Sequence, residues 1–153
     1  MKSLWEVADF VRLAPKRLRF GELSRAPLRL LRLELRGEVA ECEWMARAAD
    51  AWDVHLPAAV AERHAAIQAL EDSLSIRQML FATVPSASRA VLRVFRIGRE
   101  MRPELIIAGQ VTRDAPPEPA VRSVVMRAMS CGFRFSLEDG VLQTLHPDCA
   151  ASF

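Results

Sequence analysis

Three stretches hold side chains of the kinds that do chemistry. The first is Asp50, Trp52, Asp53 and His55, an Asp-x-x-Asp-x-His arrangement. Carboxylates and an imidazole at this spacing can ligate a metal or supply an acid and a base. With Trp52 beside them they make a candidate ligand-binding set at the mouth of a pocket. Aspartate in a turn can also simply bond its own backbone. No second set of ligands stands elsewhere in the chain, so no metal is expected. The second stretch is Lys16, Arg17, Arg19 and Arg25, a basic connector and a candidate anion-binding set. The third, His146 with Asp148 and Cys149, has the residue types of a catalytic trio. It falls in a C-terminal tail with nothing to hold a geometry. His64 lies between Val60 and Ile67 at helical spacing and reads as a histidine at the edge of a core.

Other chemistries lack their motifs. The six glycines, at 21, 37, 98, 109, 132 and 140, are isolated, which argues against a phosphate-cradling loop or a dinucleotide fingerprint. No serine sits in a nucleophile-elbow context. Arg93-Val94-Phe95-Arg96 faintly echoes an RNA-reading strand but lacks the glycine–aromatic signature, and core packing explains Phe95 more simply. No cofactor is expected and no catalytic residue stands out. An enzyme is therefore disfavoured.

The elements that would position these side chains follow from periodicity. Leu31, Leu33 and Leu35 alternate with Arg32, Glu34 and Arg36. After Gly37, Ala40, Cys42, Trp44 and Ala46 alternate with Val39, Glu41, Glu43 and Met45. Period-two alternation about a glycine predicts a β-hairpin with one apolar face. An Arg36-Gly37 turn sets Leu33 against Ala40 and Arg32 against Glu41. Before the hairpin, Ser3 and Glu6 have capping-box spacing. A short amphipathic helix is expected over 4–14, stopped by Pro15.

After the hairpin comes a loop from Ala48 to Leu56. Val60, Ile67, Leu70, Leu74 and Phe81 then make a stripe that predicts a long helix over 57–83, with Glu71 and Asp72 off the stripe. Strands are expected over 90–97 and 105–112, the second apolar on both faces and therefore central. Gly109 within it reads as a bulge or a close approach by another backbone. A second helix containing Val121 to Ala128 ends at Gly132. Phe133 to Leu137, the Asp139-Gly140 turn and Val141 to Leu145 complete the order.

That order points to an α+β fold. It is an antiparallel or mixed sheet with two main helices on one face, a ferredoxin-like split βαβ variant. A short N-terminal helix and an extra N-terminal strand are added to it. That strand has no free edge to join in the standard strand order. Within 153 residues one domain is expected: helix and basic connector over 1–27, core over 28–145, loose tail over 146–153.

Composition sets the remaining bounds. Half the chain is hydrophobic and the net charge is +2, so a folded globule is expected and nucleic acid is not demanded. Nine basic and four acidic residues fall in 1–36, three and eight in 37–80. The basic part can meet an external anion or the chain's own acidic face. Cys42, Cys131 and Cys149 are widely spaced and odd in number, which suits a reducing compartment. No run approaches a membrane span and no signal-peptide pattern is present, so a cytoplasmic location is expected. The leading reading is a non-enzymatic binding, regulatory or assembly module that homodimerises through its sheet face or a sheet edge. The alternatives are a small-molecule binder or small enzyme with a pocket near residues 50–55, and an anion or nucleic-acid binder acting through the basic segment.

Overall fold

A computed structural model describes residues 2–18, 28–47, 56–118 and 120–145. Arg19, Arg25, Asp50, Trp52, Asp53, His55 and the tail from His146 lie outside the described residues. Helix α1 (Lys2–Arg17) leads into the hairpin β1 (Arg29–Arg36) and β2 (Val39–Met45). Helix α2 (Ala58–Thr83) crosses over to β3 (Arg89–Ile97), which returns as β4 (Pro103–Thr112). Helix α3 (Val124–Ser130), β5 (Phe133–Arg134), β6 (Leu137–Glu138) and β7 (Val141–Leu142) follow.

Five strands form one sheet in the order β1-β2-β3-β4-β5, and β6 and β7 pair apart from it. Among the described strands only β2 and β3 run parallel, joined by α2; the other pairs are antiparallel. The class is therefore α+β with a mixed sheet. Where a ferredoxin-like order threads a strand between the two parallel ones, β2 and β3 lie side by side. The other edge of β2 is thereby left to β1, which removes the crowding expected of the extra strand.

One face of the sheet is dry. Ala40, Cys42 and Trp44 of β2 pair with Ala90, Leu92 and Val94 of β3, and these with Val111, Gly109 and Ile107 of β4. This row is buried against Phe10 and Ala14 of α1, Leu70, Ile76 and Leu80 of α2, and Ala128 of α3. All three helices thus cover the same side. Gly109 pairs with Phe133, and a side chain at 109 would come within 2.6 Å of the Phe133 ring. The glycine admits the neighbouring strand's aromatic into the core.

Several sequence expectations need correction. The hairpin turns at Gly37 and Glu38, with Gly37 at φ +60, the arrangement of a two-residue hairpin loop with glycine first. The pairing is consequently Leu33 with Cys42 and Arg32 with Glu43, two residues from the expected register. A shift of two keeps every side chain on its face. A bulge between Leu30 and Arg32 turns Leu30 inward and leaves Leu31 exposed.

Helix α1 begins at Lys2, so Ser3 lies within its first turn rather than before it, and the helix continues through Pro15. The bond from Leu18 N to Ala14 O (3.0 Å) holds its last turn while Phe10 and Ala14 are buried, so tertiary packing outweighs the lost proline donor. Glu6 instead accepts from the Ser86 hydroxyl at 3.0 Å. On α2, Ile67 is exposed and Asp72 is buried, the reverse of the stripe reading. Enclosed by α1, α3 and the sheet, this helix has no single wet face, and small Ala66, Ala69 and Ser73 let it lie close.

Candidate functional site

Along α2 the buried polar side chains fall at helical spacing: Gln68, Asp72, Ser73 and Arg77. Residues four apart stack on one face, so Gln68 donates to Asp72 Oδ1 at 3.0 Å. Arg47, just past the end of β2, reaches the same carboxylate, Nε to Oδ2 at 2.8 Å and Nη2 to Oδ1 at 3.2 Å. Its Nη2 also donates to the Leu18 carbonyl where α1 ends. Burial pushes the Asp72 carboxyl above the usual aspartate range, and Arg47 and Gln68 pull it back. The pair ties the end of β2 and the end of α1 to the middle of α2.

This ion pair forms part of the wall of an open cleft of about 810 Å³, a volume ordinary for ligand sites. α1 contributes Arg17 and Leu18. α2 contributes Gln68, Glu71, Asp72, Leu74, Ser75, Arg77 and Gln78. Pro116, Pro117 and Arg127 close the far side. Arg77 differs from Arg47. It is 6% exposed and has no carboxylate within ion-pair distance among the described residues. Its Nη2 donates to the Thr112 carbonyl at 2.7 Å and its guanidinium lies 5.1 Å from the Phe81 ring centroid. Its Nε, and the Nε of Arg127, have no hydrogen-bond partner among the described residues. Burial, with Arg113 nearby, holds the Arg77 pKa below the usual arginine range. A buried cation lacking a counter-charge is costly, and it marks where an anion would be most strongly stabilised.

A second crevice, of about 830 Å³, opens at the ends of β2 and β3, lined by Met45, Ala46, Ala65, Ala69, Ile97 and Ile106 among others. Glu104 on its rim accepts from Arg96 Nε at 3.2 Å and from the Thr144 hydroxyl at 2.9 Å, so its charge is already engaged. The crevice lies at the end of β2 that leads into residues 48–55. Those residues carry the Asp50, Trp52, Asp53 and His55 set and lie outside the described residues.

Of the basic set, Arg17 lines the first cleft and Lys16 is exposed on the same turn outside that lining. The sequence reading missed Arg47, Asp72, Arg77 and Arg127. No local signal sets them apart: α2 also carries Glu62, Arg63, His64, Glu71, Ser75 and Gln78, so the polar residues at 68, 72 and 77 do not stand out in the sequence. Cys42 is buried, and its thiol is pushed up to about 12 by burial, the behaviour of a small core side chain. His64 is half-buried at the core edge, as expected. No group of metal-ligating side chains is found among the described residues, nor any helix long and apolar enough to cross a membrane. Compared with known protein families, curated proteins and solved structures, the chain matches none of them.

Proposed function

We propose that this chain is a non-enzymatic binding module whose ligand is anionic and sits in the cleft between the end of α1, α2 and α3. The observation that carries this reading is Arg77, buried without an acidic partner among the described residues, in one cleft with Arg127 and its own unmet donor. Guanidinium, amide and hydroxyl groups dominate the polar lining. Such groups hold carboxylate or phosphate by charge-assisted hydrogen bonds. Arg17 brings the basic connector's anion reading into the same place. The two described cysteines are both free and buried, which supports a reducing, cytoplasmic setting.

The test is a titration with pyrophosphate followed by NMR at the arginine Nε–Hε signals. Arg77 and Arg127 should shift together and saturably, with the apparent affinity falling as salt rises. Unmoved Arg77 and Arg127 signals at saturating anion would overturn the reading. Homodimerisation stays a separate proposal, supported by a sheet face that no helix covers among the described residues.

A further inference from the structure

The lining of the arginine cleft specifies more than the sign of its ligand's charge. Arg77 is held in place before any ligand arrives. Its Nη2 donates to the Thr112 carbonyl, and its guanidinium shares the Phe81 ring with that of Arg113, at 5.1 and 4.9 Å from the centroid. Its Nε is left unmet among the described residues, as is the Nε of Arg127. The end of α3 links the two. The Cys131 backbone N–H donates to the Arg127 carbonyl, one helical turn back, and the Cys131 thiol feels the Arg77 charge. On the opposite side Arg17 precedes Leu18, whose carbonyl accepts from Arg47. With both carboxylates ionised, the four arginines of the described lining exceed its acids, Glu71 and Asp72, by two charges.

We infer that the cleft takes a phosphomonoester in its dianionic form, held by Arg77 and Arg127 together. This rests on the anion-binding reading and deepens it. An arginine presents its Nε–H beside an Nη–H as a fork that fits two oxygens. A carboxylate has two oxygens and a single charge, so it serves one fork. A phosphomonoester has three terminal oxygens and about two negative charges at neutral pH. It therefore serves both forks and answers the excess of positive charge. A sulfate ester offers the same oxygens with a single charge. Leu18, Leu74, Pro116 and Pro117 give the organic group apolar surface, and the open side of the cleft leaves room for its continuation. The other charged or titratable groups about the site are Arg17, Arg47 and Arg113, Glu71 and Asp72, and the Cys131 thiol. Burial raises both the thiol and the Asp72 carboxyl above their ordinary values.

The experiment uses the full chain, with affinity and stoichiometry from calorimetry and the arginine Nε–Hε signals followed by NMR. Butyl phosphate should bind once per chain and move the Arg77 and Arg127 signals in one saturable step. At neutral pH it should bind about tenfold or more tighter than butyl sulfate or pentanoate. The phosphate takes up its second proton at about pH 6, so its advantage over butyl sulfate should shrink about tenfold by about pH 5. Butyl sulfate keeps its single charge throughout and reports any titration of the protein itself, Asp72 included. Arg77→Met and Arg127→Met should each weaken butyl phosphate about tenfold and bring it level with butyl sulfate, with melting showing the fold intact. Phosphoserine and a phosphoserine peptide separate the sources. Tighter binding of the peptide assigns the phosphate to a partner protein's side chain, and equal binding assigns it to a small molecule.

Butyl phosphate no tighter than butyl sulfate, a ratio indifferent to pH, two phosphates per chain, or unchanged affinity in both methionine variants overturns the inference. Any of these together with pyrophosphate shifts at Arg77 and Arg127 leaves the anion reading standing and removes only the phosphomonoester. Absence of pyrophosphate shifts removes both.

Discussion

Arg47 and Arg77 show how two arginines with similar burial do different work. Arg47 meets Asp72 with side chains 2% and 5% exposed. Removing one partner of such a pair leaves an uncompensated buried charge, at a cost of about 3–5 kcal/mol. Arg47→Met should therefore destabilise the fold by about that amount in urea unfolding. Arg47→Met combined with Asp72→Leu should recover most of it, since apolar replacement of both partners is often neutral. The pH dependence carries a sign. Burial already raises Asp72 and Arg47 opposes it, so Arg47→Met raises the folded-state pKa further above the unfolded value of about 3.9. The folded state then binds the extra proton. Its stability is greatest below about pH 4 and falls as pH rises through the raised value. The variant's deficit against the parent should be larger at pH 7.5 than at pH 4.5, and equal deficits would contradict this account. Arg77→Met should behave oppositely: it discards an unpaired buried charge, so the melting temperature should hold or rise while anion binding is lost. Neither residue was legible as a site in the sequence. Arg47 is one arginine among nineteen, and its partner is 25 positions away, a pairing that only the packing of α1, α2 and β2 brings about.

Among the elements, the hairpin and the long helix were readable because their alternation and their length are local properties. What was not readable depended on neighbours. The strand order rests on β2 and β3 lying parallel side by side, and no residue of either announces its neighbour. The end of α2 shows the same dependence. Arg113, in the turn after β4, donates from Nη1 to the Phe81 carbonyl at 2.6 Å and from Nη2 to Val84 O and Ala87 O at 3.0 and 2.7 Å. It stands 4.9 Å from the Phe81 ring centroid. One guanidinium thus serves the carbonyls a helix end leaves unpaired, in a helix with no basic residue in its own last turn. Arg113→Ala should cost about 1–2 kcal/mol, and Arg113→Lys should return less than half of that, because a point charge cannot span the same carbonyls. Thermal melts of the three proteins decide it. On β4, Gly109→Ala drives a methyl group to 2.6 Å from the Phe133 ring, for about 1–3 kcal/mol of overpacking. Adding Phe133→Leu should relieve part of that loss; if it adds to the loss instead, the close approach is not what the glycine is for.

At the scale of the molecule, the described residues set three helices on one sheet face and none on the other. The bare face alternates by row. Met45, Phe95 and Leu105 pair across three strands as an apolar row, and Glu43 and Arg93 stand in the next. Arg32 at its β1 side donates to Glu34, Glu41 and Glu43 at 2.6 to 2.8 Å. Those carboxylates hold the Arg32 pKa above the usual arginine range, and Arg32, with Arg36, holds Glu34 below the usual carboxylate range. The charges on this face are therefore answered within the chain, and what remains for another surface is the apolar row. Edge pairing through β1 is disfavoured by its bulge and its arginines, devices that blunt an edge. A two-fold association is isologous, so the same row would meet itself face to face. The homodimer expected from the sequence should then form through Phe95 and resist salt, in contrast to ligand binding in the arginine cleft. Phe95→Arg should give a folded monomer by sedimentation velocity where the parent sediments as a dimer, with pyrophosphate affinity unchanged because the cleft lies across the sheet. A parent that stays monomeric at high concentration would remove the dimer and leave the cleft reading untouched. A dimer that dissolves in salt would instead place the contact on the charged rows.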